Sequence, residues 1–349
     1  TKTLDMARRQ RSVTFCGEEP ISRVMQSFGY SAEQARTCII WGCYEWGIRD
    51  SANDTGTAQV NMLKFIETTL RDAKDGKFKP ADFAAFKEEC LRRLETKTAD
   101  ARRCSFETEK YLADVNPANV MSLFTTYSVE NGIDSIAPGG TRSGNCSGIW
   151  LTGPGTFADA LLAVKEIVYE GEGSGRSGEG GGSGEGGMSL KELGEIMAKN
   201  WEGHEDLRLR MLRSPRKWGN NDPEANALCR EAVKRATAQI TGVPNSRGGK
   251  FKALGHTARM HIEFGKRTGA TPDGRKAGEE MSKNLSPTMG MDTEGVTALV
   301  NTLANLDARD LPGDFPLDVA LLPATASGEK GLAVMRTVVE TYFANGGMV

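Results

Sequence analysis

A thiol and a carboxylate stand two residues apart in the run Ile39-Ile40-Trp41-Gly42-Cys43-Tyr44-Glu45-Trp46. A sulfur that can carry a hydrogen atom or attack a carbon, next to a group that can take a proton, is the minimum equipment for radical or nucleophilic sulfur chemistry. The run is β-branched and aromatic, so it reads as a short buried strand or the loop at its end. In extended backbone, positions i and i+2 share a side, which would turn Cys43 and Glu45 toward one space and Tyr44 away from it. Gly42 would let the chain turn sharply or a substrate approach the backbone. The competing reading is a small buried hydrophobe beside a strand-end carboxylate, and for an isolated Cys-x-Glu that reading prevails.

Other chemistries find less support. The 44 basic and 46 acidic residues balance to a formal charge of −2 without a basic stripe, which argues against a nucleic-acid partner. His204, His256 and His261 form no His-Glu-x-x-His arrangement and no Cys-x-x-Cys pair occurs, so no metal site is expected and the histidines read as packed or solvated helix residues. The seven cysteines are odd in number and irregularly spaced, which suits free thiols in a reducing compartment. With no apolar run of about 18 residues and a polar start, the chain reads as soluble and cytoplasmic. The Gly173-x-Gly175-x-x-Gly178 match to a dinucleotide fingerprint sits in a repetitive stretch with no strand leading into it and is discounted.

A second stretch changes the weight of the cysteine loop. Gly269-Ala-Thr-Pro272-Asp273-Gly274-Arg275-Lys-Ala-Gly278 leads into Ser282-Lys-Asn284-Leu-Ser286-Pro287-Thr288-Met-Gly290-Met-Asp292. With Gly42-Cys43-Tyr44-Glu45, and with Pro138-Gly-Gly-Thr-Arg142 followed by Phe157 to Lys165 between them, the chain resembles the glycyl radical enzyme family, which includes pyruvate formate-lyase. The order matches from about Glu18 to Met348, interrupted once, and is nearest to the dehydratase and lyase branch with its Gly-Cys-x-Glu loop.

The resemblance implies an α/β fold, part of a barrel of strands enclosed by helices. It implies that Cys43 becomes a transient thiyl radical that takes hydrogen from the substrate, and that Glu45 is the base for carbon–heteroatom cleavage of a small polar substrate. Asn284, Ser286 and Thr288 would line the substrate pocket near the barrel mouth, with turn and capping roles as the alternative. Asp273 and Arg275 read as a structural turn and ion pair. No bound cofactor is expected; the radical would reside on a glycine in a segment outside this chain, installed by a radical S-adenosylmethionine activating enzyme. A homodimer is the implied assembly. Tyr44 stands where lyases usually have Val, so the loop names no substrate. Acyl transfer of the pyruvate formate-lyase type, which uses adjacent cysteines, is the alternative activity, and an inert partner chain is the non-enzymatic one.

The elements that must position these residues follow from periodicity. Ile21, Val24, Met25 and Phe28 recur at helical spacing and end at Gly29, and Ser31-Ala-Glu-Gln opens a short helix. Gly47 to Gly56 reads as a loop beyond the cysteine. Val60, Leu63, Ile66 and Leu70 share one helical face, as do Phe83, Phe86, Cys90 and Leu94. Thr156 to Asp159 resembles a capping box, and Ser189-Leu-Lys-Glu192 is one. Asn245 to Lys250 reads as a turn, Asp318 to Leu322 as a strand and Leu332 to Tyr342 as a helix. Residues 171–187, built from Gly, Ser, Glu and one Arg, cannot bury apolar surface and read as a flexible insertion between two helices. The expected organisation is 1–170 as the barrel portion with the cysteine loop, the insertion, and 188–349 as the later barrel portion. The start without Met and the end after Ala344-Asn-Gly-Gly347-Met are read as those of a piece of a longer protein, truncated before the glycyl radical domain.

Overall fold

A computed structural model of the chain describes residues 2–9, 13–49, 54–171 and 187–349. Five strands occur among them: β1 (Cys38–Ile40), β2 (Trp46–Ile48), β3 (Asp54–Asn61), β4 (Asn145–Thr152) and β5 (Gly248–Leu254). β1 and β2 pair antiparallel as a hairpin, while β3, β4 and β5 form a parallel sheet in that order. Parallel neighbours require long crossovers, and here helices supply them. Nearly all of β4 is buried, as expected of a strand covered on both faces.

The core forms where the crossover helices meet. Helix Pro154–Val164 is buried along its whole length, with Phe157, Leu161 and Val164 fully enclosed. A helix apolar all round has to lie inside. Helix Pro223–Thr237 packs on it, and helix Leu63–Lys74 packs against helix Leu190–Ala198. The long helix Phe83–Glu109 buries Phe86, Cys90 and Leu94 on one stripe, and its N-cap Asp82 accepts from the Ala85 N–H.

The helical readings hold where caps and period agreed. Helix Glu18–Phe28 ends on Gly29 at φ 115°, helix Ala32–Ala35 carries a full capping box from Ser31, and Ser189 caps the helix it was expected to open. Helix Gly328–Ala344 contains the expected Leu332–Tyr342 segment.

The strands are where the expectations need correction. Val60 belongs to β3, not to the helix that starts at Leu63. The expected loop from Gly47 to Gly56 contains parts of β2 and β3, and the expected turn at Asn245–Lys250 runs into β5. Asp318–Leu322 is irregular instead of a strand. Helix Pro154–Val164 starts two residues before Thr156, with Gly153 at the N-cap, because Pro preorganises the first helical position. Thr156 is thereby freed to bond Thr288 and Ser282. The insertion lies outside the described residues except at its ends, between the π-helical turn Lys165–Tyr169 and helix Leu190–Ala198.

Candidate active site

Cys43 sits at the tip of the β1–β2 hairpin, not inside a strand. The hairpin closes by Trp41 N–H donating to the Glu45 carbonyl at 2.7 Å, which leaves Gly42, Cys43 and Tyr44 to make the bend. Of the two readings of this run, the loop at the end of a strand holds and the buried strand does not, since Cys43 is exposed and Glu45 half-buried. The two groups are brought together all the same, by a turn instead of by strand alternation. The Glu45 carboxylate folds back to accept the Tyr44 N–H at 3.0 Å, across a space kept open by Gly42. A Cβ at position 42 would lie 2.5 Å from Glu45 Oε2.

Below the tip lies a buried floor. β5 ends at Leu254, and Gly255 and His256 continue past it beside Asp314, which bridges in parallel to Leu254. Asp314 Oδ1 accepts the backbone N–H of Gly255 at 2.7 Å and of His256 at 2.9 Å, while Oδ2 meets His256 Nδ1 in a very short contact. With Nδ1 committed to Asp314, Nε2 is the ring nitrogen left to face the hairpin, 3.5 Å from Glu45 Oε1. The Trp150 indole N–H approaches the imidazole with the rings perpendicular, 3.0 Å from Nε2 and 3.1 Å from Nδ1. The Tyr44 ring presents an edge-on contact at 5.7 Å, so Tyr44 points into this space and not away from it. Gly56 is what admits the indole, since a Cβ there would fall 1.5 Å from it.

Hairpin and floor are tied at the hairpin base. Trp46 N–H donates to the Gly313 carbonyl at 3.1 Å, and the buried Lys252 ammonium donates to the Trp46 carbonyl at 3.1 Å. The tie fixes Glu45 next to the Asp314 segment, because Trp46 and Gly313 are their immediate neighbours in sequence.

The electrostatics follow from this packing. Desolvation, then the negative charges of Glu45 and Asp314, push the Cys43 thiol above its ordinary range, so the sulfur keeps its hydrogen at neutral pH. Burial by itself would lower His256, but the hydrogen bond to Asp314 and the charges of Asp314 and Glu45 outweigh it and leave the imidazole raised.

The other expected site residues lie in connecting structure. Asn284, at φ 54°, accepts the Thr257 N–H at 2.8 Å and donates to Asp318 at 2.6 Å. Ser286 Oγ accepts the Asp318 N–H at 2.9 Å, and Thr288 bonds Thr156 at 2.7 Å. Their polar atoms tie loops together, and Asn284 braces the residue that follows His256. Pro272-Asp273-Gly274 is a turn as expected, closed by Gly274 N–H to the Thr271 carbonyl. The expected Asp273–Arg275 ion pair is replaced: the buried guanidinium donates to the carbonyls of Thr268, Gly269, Lys276 and Glu279. His256 and Asp314 went unread in the sequence, His256 as a packing residue and Asp314 altogether. Neither has a motif partner nearby in the chain, so only the fold could reveal them.

The sequence matches the family model for pyruvate formate lyase-like proteins over residues 1–265 and the glycine radical model over 281–349. The chain belongs to the pyruvate formate lyase-like family of glycyl radical enzymes. The second match places part of the glycine radical domain inside the stretch read as the later barrel portion, although the chain carries no Arg-Val-x-Gly-Tyr run. Trans-4-hydroxy-L-proline dehydratase of Clostridioides difficile is 27% identical over 341 residues, covering 94% of this chain and 41% of that protein. A probable dehydratase of Escherichia coli, YbiW, is 26% identical over 94% of this chain and 42% of its own length. The fold matches the crystal structure of the C. difficile hydroxyproline dehydratase with trans-4-hydroxy-L-proline bound at a TM-score of 0.86 and 25% identity, over 99% of this chain and 44% of that one. The chain thus spans under half the length of these relatives. Among the described residues, no helix is long and apolar enough to cross a membrane.

Proposed function

We propose that this chain supplies the cysteine loop of a glycyl radical dehydratase or lyase that breaks a carbon–heteroatom bond, in the first instance a C–O bond, in a small polar substrate. The observation that carries the reading is the convergence of the Cys43 sulfur and the Glu45 carboxylate within 4.8 Å of each other, at an open hairpin tip over a buried polar floor. Exposure of the tip suits it to approach by a second loop, and the radical that the glycine radical domain supplies would reach the sulfur there.

The residues then divide the work. Once its own hydrogen has passed to the radical glycine, the Cys43 sulfur, now a thiyl radical, takes a hydrogen atom from a substrate carbon bearing a hydroxyl, forming S–H and leaving the spin on carbon. Glu45 removes the hydroxyl proton as that carbon becomes a carbonyl. The neighbouring carbon–heteroatom bond breaks with its electron pair going to the departing group, and the spin moves to the neighbouring carbon. The proton held by Glu45 passes to the departing group, and the thiol returns its hydrogen atom to carbon. Atoms and charge balance, and for a diol the products are a carbonyl compound and water. His256, fixed by Asp314, holds the Glu45 carboxylate in place.

Acyl transfer of the pyruvate formate-lyase type finds less support, because Gly42 precedes Cys43 where a second thiol would be required. The reading carries further proposals with it: a radical S-adenosylmethionine activating enzyme as partner, a second copy of the chain in the assembly, and an anaerobic cytoplasm as the place of work. The test is Glu45→Gln in the assembled, activated enzyme. We expect turnover to fall by about 100-fold or more while the organic radical still forms, the size usual for loss of a general base. Full turnover in that variant would remove the base assignment.

A further inference from the structure

The floor brings a third ligand-bearing side chain to the Cys43/Glu45 pair, and that changes what the site can hold. We propose that Cys43, Glu45 and His256 bind one divalent cation of the zinc class, through Sγ, a carboxylate oxygen and Nε2, with a fourth position left open. Among the described residues this is the one grouping of three such side chains whose ligand atoms all lie within 4.8 Å of one another. A tetrahedral zinc site with bonds near 2.1 Å has ligand atoms about 3.4 Å apart. Nε2 and Glu45 Oε1 already stand at 3.5 Å, and the sulfur lies within 4.8 Å of both on the exposed hairpin tip.

The surroundings support a ligand and not merely a cluster. Metal-binding histidines characteristically give their other ring N–H to a carboxylate, which fixes the tautomer and aims the free nitrogen. Asp314 takes the Nδ1 side of His256 and is itself held by two backbone N–H groups, which leaves Nε2 as the nitrogen for a metal, in exchange for the Trp150 indole N–H that approaches it at 3.0 Å. Charge points the same way: a thiolate, the Glu45 carboxylate and a neutral imidazole sum to −2, which a dication cancels. The donor set selects the metal, since sulfur with nitrogen suits zinc and disfavours magnesium or calcium, which take oxygen ligands. Binding replaces the thiol hydrogen by the metal and releases that proton to solvent, with no change of oxidation state.

The consequence for catalysis rests on the function proposed above. A metal-bound thiolate has no hydrogen atom to return and no free sulfur to take one, so the cation would cap the site reversibly in its resting state. Metal binding itself does not depend on the radical reading and can be measured on this chain alone.

The experiment is equilibrium dialysis of the reduced, chelator-stripped protein against ZnCl2, with CoCl2 as a spectroscopic probe. We expect one equivalent bound and a sulfur-to-cobalt charge-transfer band. Cys43→Ala and His256→Gln should each abolish the band, and Asp314→Asn should weaken binding by about 10- to 100-fold, as loss of an orienting carboxylate does elsewhere. Cys104→Ala, which removes an exposed thiol on helix Phe83–Glu109 outside the grouping, should leave binding unchanged. Binding that survives both Cys43→Ala and His256→Gln, or that carries no sulfur band, would overturn the proposal. Should the His256 variant fail to fold, the unmodified protein still decides: saturating zinc should slow alkylation of Cys43 by about tenfold or more if the sulfur is a ligand, and unchanged alkylation would sink the site. Because turnover of the Glu45 and Cys43 variants is measured in metal-free buffer, failure here leaves the radical reading standing, and the reverse also holds.

Discussion

The hairpin tip and the floor beneath it are built on opposite principles. Cys43 is exposed and its turn is held by one backbone bond and one carboxylate contact. His256 and Asp314, at 1% and 0% exposure, are fixed by backbone donors, an indole and the end of a parallel strand. Chemistry that must meet another loop needs the open end, and accuracy has to come from something that cannot move. On the function proposed above, the sulfur and carboxylate that would react stand on the least constrained segment and are positioned from the most constrained one.

The sharpest test of that division compares one change on each side. Cys43→Ala removes the sulfur that the proposed mechanism needs and little else, so on that mechanism activity of the assembled enzyme should be lost by at least about 1000-fold, while unfolding stability stays within about 0.5 kcal/mol, as for surface changes generally. Asp314→Ala should do the reverse. It strands the backbone N–H groups of Gly255 and His256 and the ring nitrogen in a buried place, a loss of about 3–5 kcal/mol, read by chemical denaturation of the chain. A Cys43 variant that unfolded as readily as the Asp314 variant would show that the tip is structural after all.

A smaller effect separates two buried carboxylates of the scaffold. Asp314 meets three donors, whereas Asp159 accepts only the Trp218 N–H at 2.7 Å and its Oδ2 is buried with no hydrogen-bond partner. Burial pushes Asp159 up to about 7, with Asp273 and Asp222 adding to it against Lys217 and the Trp218 N–H. The folded state therefore holds this proton more tightly than the unfolded chain, whose aspartate titrates near 3.9. Stability contributed by the protonated form is present below about pH 4 and declines as pH rises, and the penalty is complete above about pH 7. Asp159→Asn keeps an acceptor for Trp218 and removes the charge, so its stability relative to the parent should climb across that window by a few kcal/mol. Parallel pH curves for the two proteins would mean that Asp159 is solvated and the scaffold is looser than drawn.

The same contrast explains what could be read from the chain. Cys43 and Glu45 were legible because they are two residues apart, and the helices because their apolar residues keep a 3.6-residue period with caps at the ends. The parallel strands were not. β4 is Asn-Cys-Ser-Gly-Ile-Trp-Leu-Thr, buried on both faces, so it shows no alternation and opens on small polar residues that resemble a turn. β5 begins with two glycines and was read as a turn for the same reason. His256 and Asp314 lie more than 200 residues from the cysteine, and a lone histidine in a sequence reads as packing. Asn284, Ser286 and Thr288 were conspicuous as polar residues in a signature, but polarity alone does not distinguish a ligand contact from a loop tie.

The smallest predicted effect on turnover is the most discriminating for the tip itself. Gly42→Ala places a methyl group 2.5 Å from Glu45 Oε2, a collision with the end of a side chain and not with backbone. Such a contact is relieved by rotating the carboxylate, so the melting temperature should change by no more than about 2–3 °C, the shift that under 1 kcal/mol gives in a chain of this size. Rotation carries Glu45 away from the Tyr44 N–H and from the space it shares with Cys43, and turnover should fall about tenfold, one pK-unit equivalent of misplacement at 1.36 kcal/mol. Activity falling while stability holds is the signature of a loop whose glycine serves the geometry of a base. A drop of many degrees would instead place Gly42 in the fold proper and erase the distinction between tip and floor.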